Sequence, residues 1–225
     1  MKFEYLILNV LIIAGPLALS FENKMRFVAK WRFAIPAILI TAFPFLVWDA
    51  IVAGRHWWFN ENYTLGFRVV GLPIEECLFF ITVPFAGIFI WESLRFNYTN
   101  RLIAGMRFVY YLLYFCAPLG ALLFVQGKQY TGLMLFSLAI TALYDRLSKT
   151  RLLLQKLLYV YLTIAGVLIL LFNGYLTARP IVMYDDRYQL GVKIGTIPIE
   201  DFGYGFSLLL LATMLYEKFK ATANG

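Results

Sequence analysis

What most limits the fold of this chain is a succession of seven apolar runs: Tyr5–Ser20, Phe33–Val52, Pro73–Glu92, Met106–Gln126, Gln129–Tyr144, Leu153–Thr177 and Pro198–Tyr216. A helix rises about 1.5 Å per residue, so roughly 17–25 apolar residues cross a bilayer core of about 30 Å. The first and fifth runs are slightly short, the others are long enough, and the connections between them leave no room for a soluble domain. Composition agrees. The 225 residues are 61% hydrophobic and 15% charged, against about 45–50% and about 25% in soluble domains. The expected fold is an all-α integral membrane protein with seven transmembrane helices.

The chain carries 20 Lys and Arg against 13 Asp and Glu, a net charge of +7. In a soluble protein this would suggest nucleic acid, but basic residues also flank membrane helices on the cytoplasmic side. In a seven-helix arrangement, Lys2, Arg55, Arg68, Lys128, Arg179, Arg187 and Lys193 fall on one face and the other thirteen basic residues on the opposite one. This asymmetry places the N-terminus outside and the C-terminus in the cytoplasm, in a bacterial-type cytoplasmic membrane. Cys77 and Cys116 sit within apolar runs without metal-ligand spacing, and His56 is the single histidine. No metal and no cofactor is therefore expected. Ala18-Leu19-Ser20 loosely resembles a signal-peptide cleavage site, but the internal repeat argues that the first helix is retained.

That repeat emerges on shifting the sequence by 125 positions. Tyr63, Leu65, Gly66, Pro73, Ile74 and Glu75 then coincide with Tyr188, Leu190, Gly191, Pro198, Ile199 and Glu200, six identities in thirteen positions. Chance at ordinary residue frequencies gives roughly one. Tyr5 pairs with Tyr130, Lys24 with Lys149 and Arg26 with Arg151. The chain therefore divides into a first three-helix repeat (1–100), a linking transmembrane helix (101–127), a second three-helix repeat (128–217) and a short cytoplasmic tail (218–225). An odd linking helix makes the repeats parallel, related by an axis along the membrane normal. The stretches His56–Asn62 and Pro180–Tyr188 lack helical period and are punctuated nearby by Gly54, Gly66, Gly191 and Gly195. A polar and aromatic hairpin is expected in each repeat, capping the bundle.

The repeated motifs, Leu72-Pro73-Ile74-Glu75-Glu76 and Ile197-Pro198-Ile199-Glu200-Asp201, head two spanning runs. Taken alone, each is ordinary helix-start chemistry, with proline at the first helical position and acids near the positive end of the dipole. Ionisable groups within spanning segments are costly, however, and usually face the bundle interior. Positions i+4 and i+7 share a helix face with residue i. From Glu75 they are Phe79 and Thr82, and from Glu200 they are Tyr204 and Ser207. An acid, a ring and a hydroxyl thus recur on both helices. Glu76 and Asp201 point about 100° away. Trp48 and Asp49, in the second run, and Tyr63 and Tyr188, before the shared glycines, lie at the same end. The catalytic candidates are Glu75, Glu76, Glu200 and Asp201. The substrate-binding candidates are Trp48, Asp49, Tyr63, Phe79, Thr82, Tyr188, Tyr204 and Ser207, all expected around one shared cavity open laterally to lipid.

Acids among apolar and aromatic groups suit acid–base chemistry on a lipid-soluble substrate. Burial keeps a carboxyl proton available, and ring faces stabilise cations. No phosphate-cradling glycine loop, Ser-His-Asp arrangement or zinc spacing is present.

Trp48-Asp49, Trp58-Phe59-Asn60, Tyr63, Gly66 and the two doubled-acid motifs resemble the membrane lycopene cyclases of the heterodimeric type. The chain is similar to their fused, single-chain form, as in the cyclase domain of fungal bifunctional carotenoid enzymes. The resemblance implies conversion of the linear ends of lycopene to β-ionone rings, through γ-carotene to β-carotene, in carotenoid biosynthesis. It implies an isomerase without net redox change and essential roles for Glu75, Glu76, Glu200 and Asp201. The implied partners are lycopene and membrane lipids, with a homo-oligomer or an association with other carotenoid enzymes left open. Cyclisation of C50 or other carotenoid ends is a related alternative. A retinal-type receptor is disfavoured because no lysine lies between Lys193 and Lys218. A small transporter is disfavoured because the polar groups gather at one end.

Overall fold

The structure, a computed structural model, describes residues 2–223. Among the described residues are seven α-helices: α1 (Glu4–Leu19), α2 (Trp31–Val52), α3 (Ile74–Asn97), α4 (Phe108–Val125), α5 (Gln129–Ser148), α6 (Lys156–Ala178) and α7 (Ile199–Ala223). Among the described residues four reach membrane-crossing length and apolarity: α2 with the short 3₁₀ turn before it, α3, α4 and α6. Helix α1 is apolar but only 16 residues long. Helices α5 and α7 are less apolar for a packing reason. Each buries a line of small and hydroxyl-bearing residues, Thr131, Gly132, Ala139, Thr141 and Ala142 on α5 and Ser207, Ala212 and Thr213 on α7. Such residues let helix backbones approach closely where protein rather than lipid is the neighbour. Helix α7 runs on to Ala223, so the described part of the short tail expected at 218–225 continues the last helix.

Helix α4 packs against α5 and is otherwise largely exposed. Gly120 and Gly132 face each other there, and a Cβ on either would lie 2.7 Å from the other's carbonyl oxygen. Helices α1, α2, α3, α5, α6 and α7 form the body of the bundle, with α3 and α7 in mutual contact near its centre.

Several contacts recur at the 125-residue shift. At the end remote from the acid motifs, Trp91 Nε1 on α3 donates to Glu217 on α7 at 2.9 Å, and Tyr216 OH on α7 donates to Glu92 on α3 at 2.5 Å. Arg95 pairs with Glu217 at 3.3 Å and Lys220 with Glu92 at 2.7 Å. Each of these residues is the shifted counterpart of another in the set. Arg26 and Arg151, also counterparts, both adopt left-handed backbone before short 3₁₀ turns.

The hairpin expectation is half corrected. The segments His56–Asn62 and Pro180–Tyr188 do not fold on themselves. Strand β1 (Trp57–Phe59) from the first pairs antiparallel with β4 (Val182–Tyr184) from the second. In this ladder Trp58 faces Met183, its own counterpart at the shift of 125, while Trp57 faces Tyr184 and Phe59 faces Val182. The pairing is thus two-fold symmetric in register. Each half does have a smaller hairpin, β2 (Arg68–Val69) with β3 (Leu72–Pro73) and β5 (Lys193–Ile194) with β6 (Ile197–Pro198). Val70 and Gly71 both have positive φ in the first turn, and Gly195 does so in the second, as tight hairpin turns require. The strands of the two halves satisfy one another because a lone three-residue strand leaves its backbone groups unpaired over a buried core.

Because backbone lies directly opposite Gly120 and Gly132, Gly120→Val and Gly132→Val are each expected to cost about 1–3 kcal/mol. At about 2–4 °C per kcal/mol for a chain of this size, thermal melts of the purified protein in detergent should show the loss. Gly15→Val should melt like the parent, because nothing lies within 4 Å of a Cβ added there.

Candidate functional site

Helices α3 and α7 begin directly after β3 and β6, so Pro73 and Pro198 end a strand and set the first helical turn. Four acids consequently enter the bundle at one end, with Glu75 and Glu200 fully buried and Glu76 and Asp201 9% and 5% exposed. The structure separates them into two pairs with different surroundings.

Glu75 and Glu200 turn back toward the preceding loops. Glu75 Oε1 accepts from the Leu65 backbone N–H at 2.6 Å, and Glu200 Oε1 accepts from Leu190 N–H at 2.8 Å and from Thr131 Oγ1 at 2.5 Å. Leu65 and Leu190 are counterparts, each beside a glycine in left-handed conformation, Gly66 and Gly191. These carboxyls tie loop to helix in each half.

Glu76 and Asp201 turn the other way, into a single cavity of about 460 Å³. Tyr5 OH on α1 donates to Glu76 Oε2. Tyr130 OH on α5 donates to Asp201 Oδ1 at 2.5 Å. Tyr5 and Tyr130 are counterparts, as are Glu76 and Asp201. Asp201 Oδ2 also accepts from Asn173 Nδ2 on α6 at 2.9 Å and from Tyr184 OH on β4 at 2.8 Å. A third acid lines the cavity, Asp49 of α2, 2% exposed. Its Oδ1 accepts from Trp57 Nε1 at 2.6 Å, and it lines the same cavity as Glu76.

Aromatic rings close around these groups. Tyr130 stacks on Tyr204 with centroids 4.9 Å apart and on Tyr184 at 6.0 Å, and Trp57 lies 5.0 Å from Tyr130. Below the acids the walls are apolar, with Phe79, Phe80 and Val83 on α3, Leu208 and Leu209 on α7, and Leu168, Ile169 and Phe172 on α6. The cavity is long. Its lining on α1 runs from Tyr5 to Leu19 and on α6 from Tyr161 to Leu176, about 21–22 Å at roughly 1.5 Å per residue. The wall is open along α1, because Leu11 and Leu19 line the cavity yet are 62% and 54% exposed. At the acid end Tyr175 of α6 and Arg179, just after its C-terminus, both bond Glu4, closing α1 against α6 there. An elongated apolar slot with carboxyls at its end can take a linear hydrocarbon end-on and exchange protons with its tip.

Of the sequence candidates, Glu76, Asp201, Trp48, Asp49, Phe79 and Tyr204 line this cavity, and Glu75, Glu200, Tyr63, Thr82, Tyr188 and Ser207 do not. The stripe that does so is 76/79/80/83 on α3 and 201/204/205/208 on α7. The face drawn through Glu75 and Glu200 is therefore displaced by one residue, about 100°, from the one that lines it. Thr82 instead bonds Asn9 Oδ1 at 2.8 Å and Ser207 accepts from Ser137 Oγ at 2.8 Å, holding helices together. Tyr63 lies under the Arg179 guanidinium, and Tyr188 stacks on His56 at 4.1 Å. Outside the helices, burial holds the His56 imidazole below its usual pKa range, and its Nε2 meets Gln129 Oε1 at 3.0 Å. The cavity also uses Tyr5, Tyr130, Trp57, Asn173 and Tyr184. Tyr5 and Tyr130 were visible as a matched pair at the shift of 125; no sequence signal marked Tyr184. Among the described residues no group of three or more His, Cys, Asp or Glu is placed to hold a metal ion.

The fold and site define a membrane protein with an internally repeated acid motif opening on an apolar slot. The lycopene cyclase family model matches residues 2–94 and again residues 127–219, two segments offset by the same 125 positions and together most of the chain. The chain belongs to the lycopene cyclase family, and is accordingly an enzyme that cyclises carotenoids. No curated protein and no solved structure matches it.

Glu75→Gln and Glu200→Gln each weaken the acceptor for a backbone N–H, and each is expected to cost about 1–3 kcal/mol, read as a lowered melting temperature. Glu76→Gln still offers Tyr5 an acceptor and should melt close to the parent.

Proposed function

We propose that this protein is a lycopene β-cyclase of the fused, single-chain form, with all seven helices crossing the membrane as two parallel repeats. The observation that carries the reading is the single slot in which Glu76, Asp201 and Asp49 meet at the end of a long apolar and aromatic channel. The two-fold register of β1 with β4 and the reciprocal contacts between α3 and α7 support an axis along the membrane normal. The acid end faces outward and the C-terminus lies in the cytoplasm, in keeping with the distribution of basic residues.

Lycopene leaves the lipid phase sideways along α1 and slides end-first into the slot. A proton adds to the CH carbon of the terminal double bond, leaving a tertiary cation on the dimethyl carbon. The next double bond attacks that cation, closing a six-membered ring and moving the charge to the methyl-bearing ring carbon. Loss of a proton from the ring carbon that joins the polyene makes the β-ring. One proton enters and one leaves, so the product is an isomer. The rings of Tyr204, Phe79 and Trp48 offer π-faces to the passing cation, and the apolar walls keep water from trapping it. Glu76, Asp201 and Asp49 are the catalytic residues in this reading. Glu75 and Glu200 are positioning residues that hold the loops in place. With one slot for both ends of the substrate, γ-carotene is released or reversed before the second ring forms.

Expression in lycopene-accumulating bacteria, with pigment chromatography, tests the reading. The parent should convert lycopene to β-carotene with transient γ-carotene. Glu76→Gln and Asp201→Asn should lose at least about 100-fold in rate, the scale of a general acid or base. Turnover in D₂O should leave one deuterium in each ring. Unchanged lycopene, or rings without deuterium, would overturn the proposal; ε-rings would keep the chemistry and correct the product.

A further inference from the structure

The three carboxyl groups in the slot are held very differently, and the difference divides the work of the reaction among them. Asp201 is saturated with donors. Its two oxygens receive Tyr130 OH, Asn173 Nδ2 and Tyr184 OH, all at 2.5–2.9 Å. An ionised carboxylate is an acceptor only, and hydrogen bonds of this kind favour the charged form.

Asp49 and Glu76 are short of donors. Trp57 Nε1 serves Asp49 Oδ1 and Tyr5 OH serves Glu76 Oε2. The other oxygen of Asp49 is buried and meets no N–H or O–H of the surrounding protein. The Glu76 carboxyl lines the same slot. Two buried carboxylates sharing one dry slot repel, and neither can donate a hydrogen bond to the other. A proton placed between them supplies the missing donor and removes the repulsion, as in other buried carboxyl dyads. Glu75 and Glu200 each also have one oxygen without a donor, but neither lines the slot.

Resting on the cyclase reading above, we propose that Asp49 and Glu76 together hold the proton that starts cyclisation and that Asp201, across the slot, is the base that removes the ring proton. The pair gives its proton to the terminal double bond and is left with two negative charges facing the new cation. Asp201 accepts the proton released as the ring double bond forms. Asp201 then gives that proton to solvent and the pair takes a new one from solvent, so the site is reset and nothing is consumed. The assignment gives Asp49 a catalytic role that the repeat alone cannot supply, since the shift of 125 places Gly174 at its counterpart. The two halves of the site are thus specialised, donor in the first and acceptor in the second.

Infrared difference spectroscopy of purified protein at neutral pH tests the assignment without turnover. The difference between the parent and Asp49→Asn/Glu76→Gln should contain a protonated-carboxyl band that shifts in D₂O. The difference between the parent and Asp201→Asn should contain carboxylate bands and no loss of a protonated carboxyl. The reverse pattern would overturn the proposal. Should the double variant not fold, Asp49→Asn alone must alter the protonated-carboxyl region, and an unchanged region would refute the shared proton. In the lycopene-accumulating host, Asp49→Asn should lose at least about 100-fold in cyclisation, comparable to Glu76→Gln; full activity would remove Asp49 from the donor. If the spectra come out as expected but no variant or parent forms rings, the carboxyl arrangement stands and the cyclase reading fails.

Discussion

A hydrogen bond from a tyrosine to an acid two helices further along the chain, made twice, anchors the site in this protein. Tyr5 holds Glu76, joining α1 to α3, and Tyr130 holds Asp201, joining α5 to α7. Carboxyl groups in an apolar bundle are costly unless donors meet them. These tyrosines meet that need and aim the acids inward, while Glu75 and Glu200, one residue earlier, accept backbone N–H groups and aim the loops. A doubled acid at a helix start is therefore two devices in adjacent positions, one directed to the loop and one to the slot.

The same economy shapes the rest of the bundle. Two halves of related sequence meet through α3 and α7, through the crossed Trp91–Glu217 and Tyr216–Glu92 bonds, and through strands β1 and β4. None of these contacts is satisfied inside one half. The single cavity between them is lined by both, with one acid of each motif brought to it. Divergence between the halves then has chemical consequences. Trp48 and Asp49 stand where the second half has Asn173 and Gly174, so Glu76 shares the slot with a second carboxyl of its own half and Asp201 gains an amide donor.

Much of this was legible in the chain. The seven runs correspond to seven helices, and the shift of 125 that aligned the acid motifs also relates Tyr5 to Tyr130 and sets the two segments matched by the family model. The stripe chosen through Glu75, Phe79 and Thr82 was adjacent to the one that lines the slot, because helical spacing ranks faces only by the pattern along them. It sees that Phe79 lies four residues from Glu75, and equally that it lies three from Glu76. Choosing between them needs the partner helices, where Asn9 takes Thr82 and Tyr5 takes Glu76.

What the sequence determined by itself is what local chemistry controls: apolar length makes membrane-scale helices, proline and acids start α3 and α7, and internal repetition doubles the motif. Only the tertiary structure decided which acids share a space. Asp49, Glu76 and Asp201 are separated by up to 152 residues and lie on three helices. Their meeting, the exclusion of Glu75 and Glu200, and the pairing of β1 with β4 depend on how helices rotate about their axes as they pack. That rotation follows from side-chain contacts across the bundle, which periodicity along a single chain does not encode.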